Sequence, residues 1–187
     1  MATILRPQSG LGNYDAAMPM RACLPLLLSA SLALAEPSCQ PAADAVQSAL
    51  NAVRAKAQPC GARTWPAAPA LRESPLLAES ARRYALELAG HDRLDHGAAG
   101  SLRARLREAG YVMRTAGENL AGGPETLDEA LAQWLASPAH CENLMLPDFQ
   151  EFGLACVNGT GQLQRYWVLH LAAPAAAKPR SSPDRSP

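Results

Sequence analysis

The hydrophobic period changes once along this chain, and that change constrains the fold more than any other feature of the sequence. From Asp44 to Lys56 the apolar residues Val46, Ala49, Leu50 and Val53 recur at helical spacing, with Gln, Asn and Arg between them. A Pro-rich connector from Pro59 to Pro75 follows, carrying Cys60 and Trp65. Ser74-Pro75 reads as an N-cap and first helical residue. Beyond it Leu77, Ala81, Tyr84, Ala85, Leu88 and Ala89 share one face, and Arg82, Arg83 and Glu87 lie outside it. That helix runs down near His91, with Gly97 closing the region. A shorter helix spans about Leu102 to Ala109 and stops at Gly110. Thr126-Leu127-Asp128-Glu129 matches a capping box and opens a helix through Leu131, Trp134 and Leu135, ended by Ser137-Pro138. After this the pattern is strand-like, in Phe152–Val157 and Tyr166–Leu171, with Asn158-Gly159-Thr160-Gly161 as the turn between them. Helices first and a hairpin last predict an α+β fold, with helices packed on a small antiparallel sheet.

The chain has 187 residues, enough for one domain with tails. Its formal net charge is zero and it has no run of Lys or Arg, which argues against a nucleic-acid partner. Met20-Arg21 leads into an apolar stretch from Ala22 to Ala35 with an Ala-x-Ala end before Glu36. That is the anatomy of a secretory signal peptide. The expectation is a signal peptide over 18–35, with 1–17 a non-native upstream extension and a mature chain beginning at Glu36. A lead of 36–41 precedes the domain proper, 42–173. The tail, 174–187, is rich in Pro, Ala, Ser and Arg and cannot bury enough apolar surface to order itself. No segment approaches the ~18–20 apolar residues of a membrane helix, so no span is expected after cleavage. The protein is expected to be secreted or periplasmic, and a monomer.

Loss of residues 1–35 removes Cys23 and leaves Cys39, Cys60, Cys141 and Cys156. Four cysteines in an exported chain suggest two disulfides, with three possible connectivities. The sequence contains no Cys-x-x-Cys, so a zinc ribbon or a thioredoxin-like motif has no support.

Gly117-Glu118-Asn119-Leu120 lies midway between two histidines, His96 and His140, 22 residues from each. The spacing is too wide for one helix, so the three side chains meet only if the fold brings separate elements together. His96 reads as ending a helical segment, Arg93–Gly97, and His140 as following another, Trp134–Ala139. Two imidazoles and a carboxylate in one cleft suit a divalent metal, zinc first, because three N/O ligands with an open position are what catalytic zinc uses. The competing reading is a hydrogen-bonded cluster that braces the cleft. Ser137 and Glu142 are accessory candidates by their closeness to His140. No Gly-x-Ser-x-Gly or His-Glu-x-x-His motif is present. Asn119 and Asn143 are expected to bond backbone at turns, Tyr111 and Trp167 to be core, and His170 to be structural, since it alternates with Tyr166 and Val168.

The ordered series of motifs resembles the CAP superfamily (cysteine-rich secretory, antigen 5 and pathogenesis-related proteins, or SCP domains), and within it the compact bacterial secreted branch. The residues that carry the resemblance are His96, Arg105, Ala109-Gly110-Tyr111, Gly117-Glu118-Asn119-Leu120-Ala121-Gly122-Gly123, Trp134, Ser137-Pro138-Ala139-His140, Asn143-Leu144-Met145, Phe149, Gly153 and Tyr166-Trp167. It covers about Ala42 to Ala172. The resemblance implies an α-β-α sandwich with a cleft lined by two His and acidic side chains, and His96, Glu118 and His140 fall on those positions. Many members carry a second acid three residues after the helix Trp. Here that position is Ser137, which leaves the two-His, two-acid set one carboxylate short, as in compact bacterial relatives with Ser-Pro there. The resemblance also implies a Cys60–Cys141 bridge, leaving Cys39 with Cys156; local pairing, Cys39–Cys60 and Cys141–Cys156, is the rival. Two function classes follow. One is a secreted, non-enzymatic module binding an extracellular lipid, wall glycan or protein. The other is a zinc-dependent extracellular hydrolase acting on peptide bonds.

Overall fold

The computed structural model describes residues 38–176, so the expected signal peptide, Cys23 and most of the tail lie outside the described residues. Eleven elements follow one another: α1 (Ala43–Arg54), β1 (Gln58–Cys60), β2 (Arg63–Trp65), β3 (Arg72–Glu73), α2 (Pro75–His91), α3 (Leu102–Glu108), β4 (Met113–Gly122), α4 (Leu127–Ala136), α5 (Pro138–Met145), β5 (Glu151–Asn158) and β6 (Arg165–Pro174). β1 and β2 form a separate small hairpin. The main sheet has the order β3-β5-β6-β4, which leaves β4 on an edge. β4–β6 and β5–β6 pair antiparallel, as expected, but the two-residue β3 runs parallel to β5, so the sheet is mixed.

β6 is buried along nearly its whole length because helices cover both faces of the sheet. Trp167, Leu169 and Leu171 pack on one side with Phe152 and Leu154 of β5 against α1, α4 and α5. Tyr166 and Val168 point the other way, with Ala155 and Leu120, against Ala81, Tyr84, Ala85 and Leu88 of α2. The result is a three-layer α-β-α arrangement. α2 is pressed onto β5 at Gly153, where an added Cβ would lie 2.1 Å from backbone atoms of Leu77 and Ala78. Only a residue without a side chain fits that approach.

The local signals for the helices hold. Pro75 opens α2 at its first turn. Thr126 accepts a hydrogen bond from the Glu129 amide at 3.3 Å, and the Glu129 carboxylate accepts from the Glu125 amide at 2.6 Å. Three elements differ from the sequence expectation. The Gly-Glu-Asn-Leu segment, to which the sequence assigns no element, is part of strand β4. Ser137-Pro138 ends α4 but also begins α5, with Pro138 at its first turn, a position where its missing N–H costs nothing. The hairpin turn spans 159–164 rather than the expected 158–161. It is closed by Gly159 N–H donating to the Gln164 carbonyl at 2.7 Å, and its side is clamped by Asp92, which accepts from the amides of Gln162 and Leu163 and from the Tyr166 hydroxyl. β6 runs through Pro174, one residue into the stretch assigned to the tail.

Two disulfides tie the periphery to this frame. Cys39–Cys156 holds the N-terminal lead to β5, and Cys60–Cys141 holds the β1–β2 hairpin to α5. These are the pairs implied by the resemblance, and the local pairing is excluded. Arg54, fully buried at the end of α1, donates to the carbonyls of Pro69 (2.7 Å), Leu144 (2.6 Å) and Leu146 (3.1 Å). A cation is thereby set at the C-terminal end of α5, where the helix dipole favours it. Burial lowers its pKa to about 10, still charged at neutral pH.

Candidate functional site around Glu118

Glu118 sits on the edge strand β4 opposite His170 of β6, and the strand alternation sends its side chain toward the layer of α2 and α3. The side chain is only 4% exposed. One oxygen accepts from the Arg105 guanidinium at 2.6 Å and lies 2.9 Å from His170 Nε2. The other lies 2.7 Å from His96 Nδ1. Burial works against ionising this carboxyl, but the hydrogen bond from His170, then the Arg105 charge and the His96 contact, outweigh it and hold the pKa below its ordinary value. Glu118 is therefore a carboxylate with both oxygens occupied.

Arg105, from α3, is itself buried. Its guanidinium also donates to the carbonyls of His96 (3.2 Å) and Gly100 (2.5 Å) and lies 3.5 Å over the Tyr84 ring. Because one arginine grips both Glu118 and the 92–101 loop, it fixes the loop that carries His96. His170 is fully buried, and burial, opposed by Glu118, lowers its pKa, so the imidazole is neutral at pH 7. Nε2 is the ring nitrogen turned to Glu118, and Nδ1 makes no hydrogen bond of standard geometry.

The two flanking histidines are placed differently from the sequence expectation. His96 does not end a helix. α2 stops at His91, Asp92 takes a left-handed conformation (φ 48°), and His96 lies on the loop that follows, with 62% of its side chain exposed. His140 follows α4, but it lies within a second helix, α5, next to the Cys60–Cys141 bridge. Partial burial, and then the charge of His96, lower the His140 pKa, so the two rings lie near enough to repel when protonated. The backbone beneath His140 is held by Asn119, whose side-chain amide donates to the His140 carbonyl at 3.0 Å while accepting from Asn143. Asn143 also donates to the Glu118 carbonyl. Both asparagines do bond backbone, but Asn119 does so from a strand and Asn143 from α5. Ser137 makes no capping hydrogen bond, and Glu142 is exposed on α5.

The structure thus draws His96 and Glu118 into direct contact and leaves the His140 ring beside them, with only its backbone carbonyl hydrogen-bonded, to Asn119. It adds Arg105, which the sequence marked only as a motif residue, and His170, which the sequence assigned to structure alone. The signal for His170 was present: a polar residue in phase with Tyr166 and Val168 on a buried strand face must find a partner. Among the described residues no three His, Cys, Asp or Glu side chains are arranged to hold a metal ion. A larger cavity, of about 400 Å³, lies away from this cluster, between the lead and the outer face of α2, and none of His96, Glu118 or His140 lines it.

Comparison with known proteins agrees with this architecture. The Cysteine-rich secretory protein family matches residues 47–171. The uncharacterized protein YkwD of Bacillus subtilis is 31% identical over 83 residues, 43% of this chain and 32% of that protein, so the chain matches about a third of its relative's length. Among solved structures, an extracellular SCP-domain protein of Bacillus anthracis superposes with a TM-score of 0.57 at 21% identity, covering 69% of this chain and 39% of that one. An outer surface protein of Borrelia burgdorferi gives 0.61 at 19% identity, covering 74% of this chain and all of that one. Fold, motifs and matched span together make this chain a member of the cysteine-rich secretory protein (CAP) family.

Proposed function

We propose that this chain is a secreted, non-enzymatic binding module that takes an extracellular ligand, a lipid, wall glycan or protein, at the cleft flanked by His96 and His140. The observation that carries this reading is the full engagement of Glu118. Its two oxygens already face three donors, so a proton taken up there would weaken a buried ion pair. Ser137, half-buried and uncapped, has no imidazole hydrogen-bonded to it. Export is supported by the apolar stretch before Glu36, by two disulfides, and by relatives described as extracellular or outer-surface proteins. No helix of the described residues is long and apolar enough to cross a membrane.

A zinc-dependent hydrolase is the second reading. One observation favours a metal: Glu118 orients His96 through Nδ1, as an outer carboxylate orients a ligating imidazole, and His140 is held neutral. The donor set does not fit a catalytic zinc, because two imidazoles remain and the carboxylate is spent. No hydrolytic step follows from these residues. Weak zinc capture by His96 and His140 is the most this arrangement supports.

The test combines co-sedimentation with wall glycan and with lipid vesicles and product analysis on a peptide mixture, each with and without zinc. Retention on one matrix, lost in the His96→Ala/His140→Ala chain, is expected, with no peptide released. Zinc-dependent peptide release that disappears in the same double variant would overturn the binding reading. Mass spectrometry of exported protein is expected to find Glu36 at the N-terminus.

A further inference from the structure

At the sheet edge remote from Glu118, β5 has no neighbouring strand for most of its length. β3 pairs with it only at Glu151 and Phe152, because Pro75 turns the chain into α2. The amides of Arg72 and Ser74 donate to the carbonyls of Gln150 (3.1 Å) and Phe152 (2.8 Å), and there the parallel ladder stops. The next outward-facing groups of β5 go to one side chain of the lead. Gln40 donates from Nε2 to the Leu154 carbonyl at 3.4 Å and accepts from the Cys156 amide through Oε1 at 2.7 Å. A residue of a parallel neighbour makes the same two bonds, one to a carbonyl and one from the amide two residues on. Gln40 therefore stands, with its side chain, in the place of the strand that β3 does not supply. The Cys39–Cys156 bridge fixes the adjoining residue to the same point of the edge.

The edge so covered has none of the usual protections. Exposed edges are blunted by charged side chains, by proline or by a bulge. Phe152-Gly153-Leu154-Ala155-Cys156-Val157 carries no charge and no proline, and its register with β6 is unbroken from Glu151 to Asn158. An uncharged run of this length pairs readily with another like it once its backbone is open. Gln40 is itself exposed, so a single surface side chain covers the Leu154 carbonyl and the Cys156 amide. Alongside runs the groove of about 400 Å³, lined by Leu154 to Val157, by Ser38 and Gln40 of the lead, and by Leu86 of α2, which is 48% exposed. Of the charged residues that border it, Glu79 and Arg82 pair with each other, and Glu73 is on β3, beyond the open part of the edge. The occupant these features fit is β5 of a second copy, because two uncharged edges related by a twofold axis meet no like charge and satisfy each other's outward-facing groups.

We propose that the lead is a guard on this edge: Gln40 and the Cys39–Cys156 bridge hold β5 closed, and without them the chain pairs β5 to β5 with a second copy of itself. The monomer expected from the sequence then depends on two residues of the lead. This surface is independent of the cleft reading, because Glu118 and its partners lie on β4 and β6, with β4 at the opposite edge of the sheet.

The test is sedimentation velocity over a range of protein concentrations, with amide hydrogen exchange read at position 156. Gln40→Ala with both bridges intact is expected to speed exchange of the Cys156 amide about tenfold, the order of one lost hydrogen bond. Wild type is expected to stay monomeric. The triple variant Cys39→Ala/Cys156→Ala/Gln40→Ala is expected to form a concentration-dependent dimer in which the amide at position 156 is protected again. Adding Val157→Lys, which puts a charge on the open edge, should return it to monomer. Cys39→Ala/Cys156→Ala, which keeps Gln40, should dimerise about tenfold more weakly, and it carries the test if circular dichroism shows the triple variant unfolded. Four results would overturn the proposal: unchanged exchange at Cys156 in Gln40→Ala; folded variants without the bridge that stay monomeric, meaning that the lead is a tether only; a dimer that Val157→Lys leaves intact; or a dimer whose amide at position 156 stays unprotected, which would place the contact elsewhere.

Discussion

Replacement of Glu118 by alanine tests the bracing role most directly, because the structure says which of its three contacts carry the cost. Arg105 and Glu118 are 6% and 4% exposed at the side chain, so deleting the carboxylate leaves a buried guanidinium without its counter-charge. Breaking a buried pair from one side costs about 3–5 kcal/mol. Arg105 keeps its bonds to the His96 and Gly100 carbonyls and its place over Tyr84, which puts the expected loss near the lower end, ~3 kcal/mol. The His96 contact adds little, since 62% of that ring is in solvent and exposed pairs contribute about 0–1 kcal/mol. Urea unfolding at pH 7 with both disulfides intact measures the loss, which should lower the melting temperature by roughly 10 °C in a domain of this size. His96→Ala should stay within about 1 kcal/mol of wild type. The double variant Glu118→Leu/Arg105→Met should be more stable than Glu118→Leu alone, because it removes the stranded charge. A Glu118→Ala loss under about 1 kcal/mol, or a double variant whose loss is the sum of its singles, would refute the reasoning.

Four further outcomes are expected. Stability should fall as the pH drops below about 6.5, because His140 and His170 have folded pKa values below that ordinary value and the unfolded chain takes up protons first; a second loss, below the ordinary carboxyl value of ~4.3, comes as the pH passes through the lowered Glu118 pKa, and unfolding free energies flat from pH 7.5 to 3 would contradict both. Arg54→Ala, which strands the Leu144 and Leu146 carbonyls at the end of α5, should cost about 2–4 kcal/mol by denaturant titration, and a loss under 1 would remove its capping role. Gly153→Ala should cost about 3 kcal/mol or more, since its methyl would meet α2 backbone rather than a side chain that can turn away; a near-neutral effect in a thermal melt would refute the contact. Opening Cys60–Cys141 by paired Ala substitution should cost about 2–4 kcal/mol and perturb the His140 resonances, whereas opening Cys39–Cys156 should cost a similar amount and leave them in place.

The parts of the fold legible in the sequence are those whose signal is local. α2 and α4 announce themselves by Ser74-Pro75 and by the Thr126–Glu129 box, because a helix closes its hydrogen bonds within its own segment. β4 gives no such signal. Met113–Gly122 contains one β-branched residue, Thr115, and three small ones between Ala116 and Ala121, so its strand identity comes from its ladder to β6, a contact 50 residues away. α5 was hidden because Ser137-Pro138 reads as a stop, and the same proline that ends α4 is favourable at the first turn of α5. His96 and Glu118 were visible as residues, yet their roles depend on burial, which spacing does not encode.

Burial divides the cluster in two. Inside, Glu118, Arg105 and His170 satisfy one another and hold three elements, β4, α3 and β6, in register. Outside, His96 presents an exposed ring from a loop that Arg105 anchors, and His140 presents a half-buried one from a helix that Cys141 anchors. On the proposed binding reading a ligand would meet the two imidazoles, while the fold depends on the carboxylate beneath them. That reading expects substitutions at His96 or His140 to change recognition at little cost in stability, and substitution at Glu118 to change stability first and recognition only as a consequence. An active site built around a catalytic Glu118 would show the opposite order, since a reacting carboxylate must be free to exchange protons and this one is held on both oxygens.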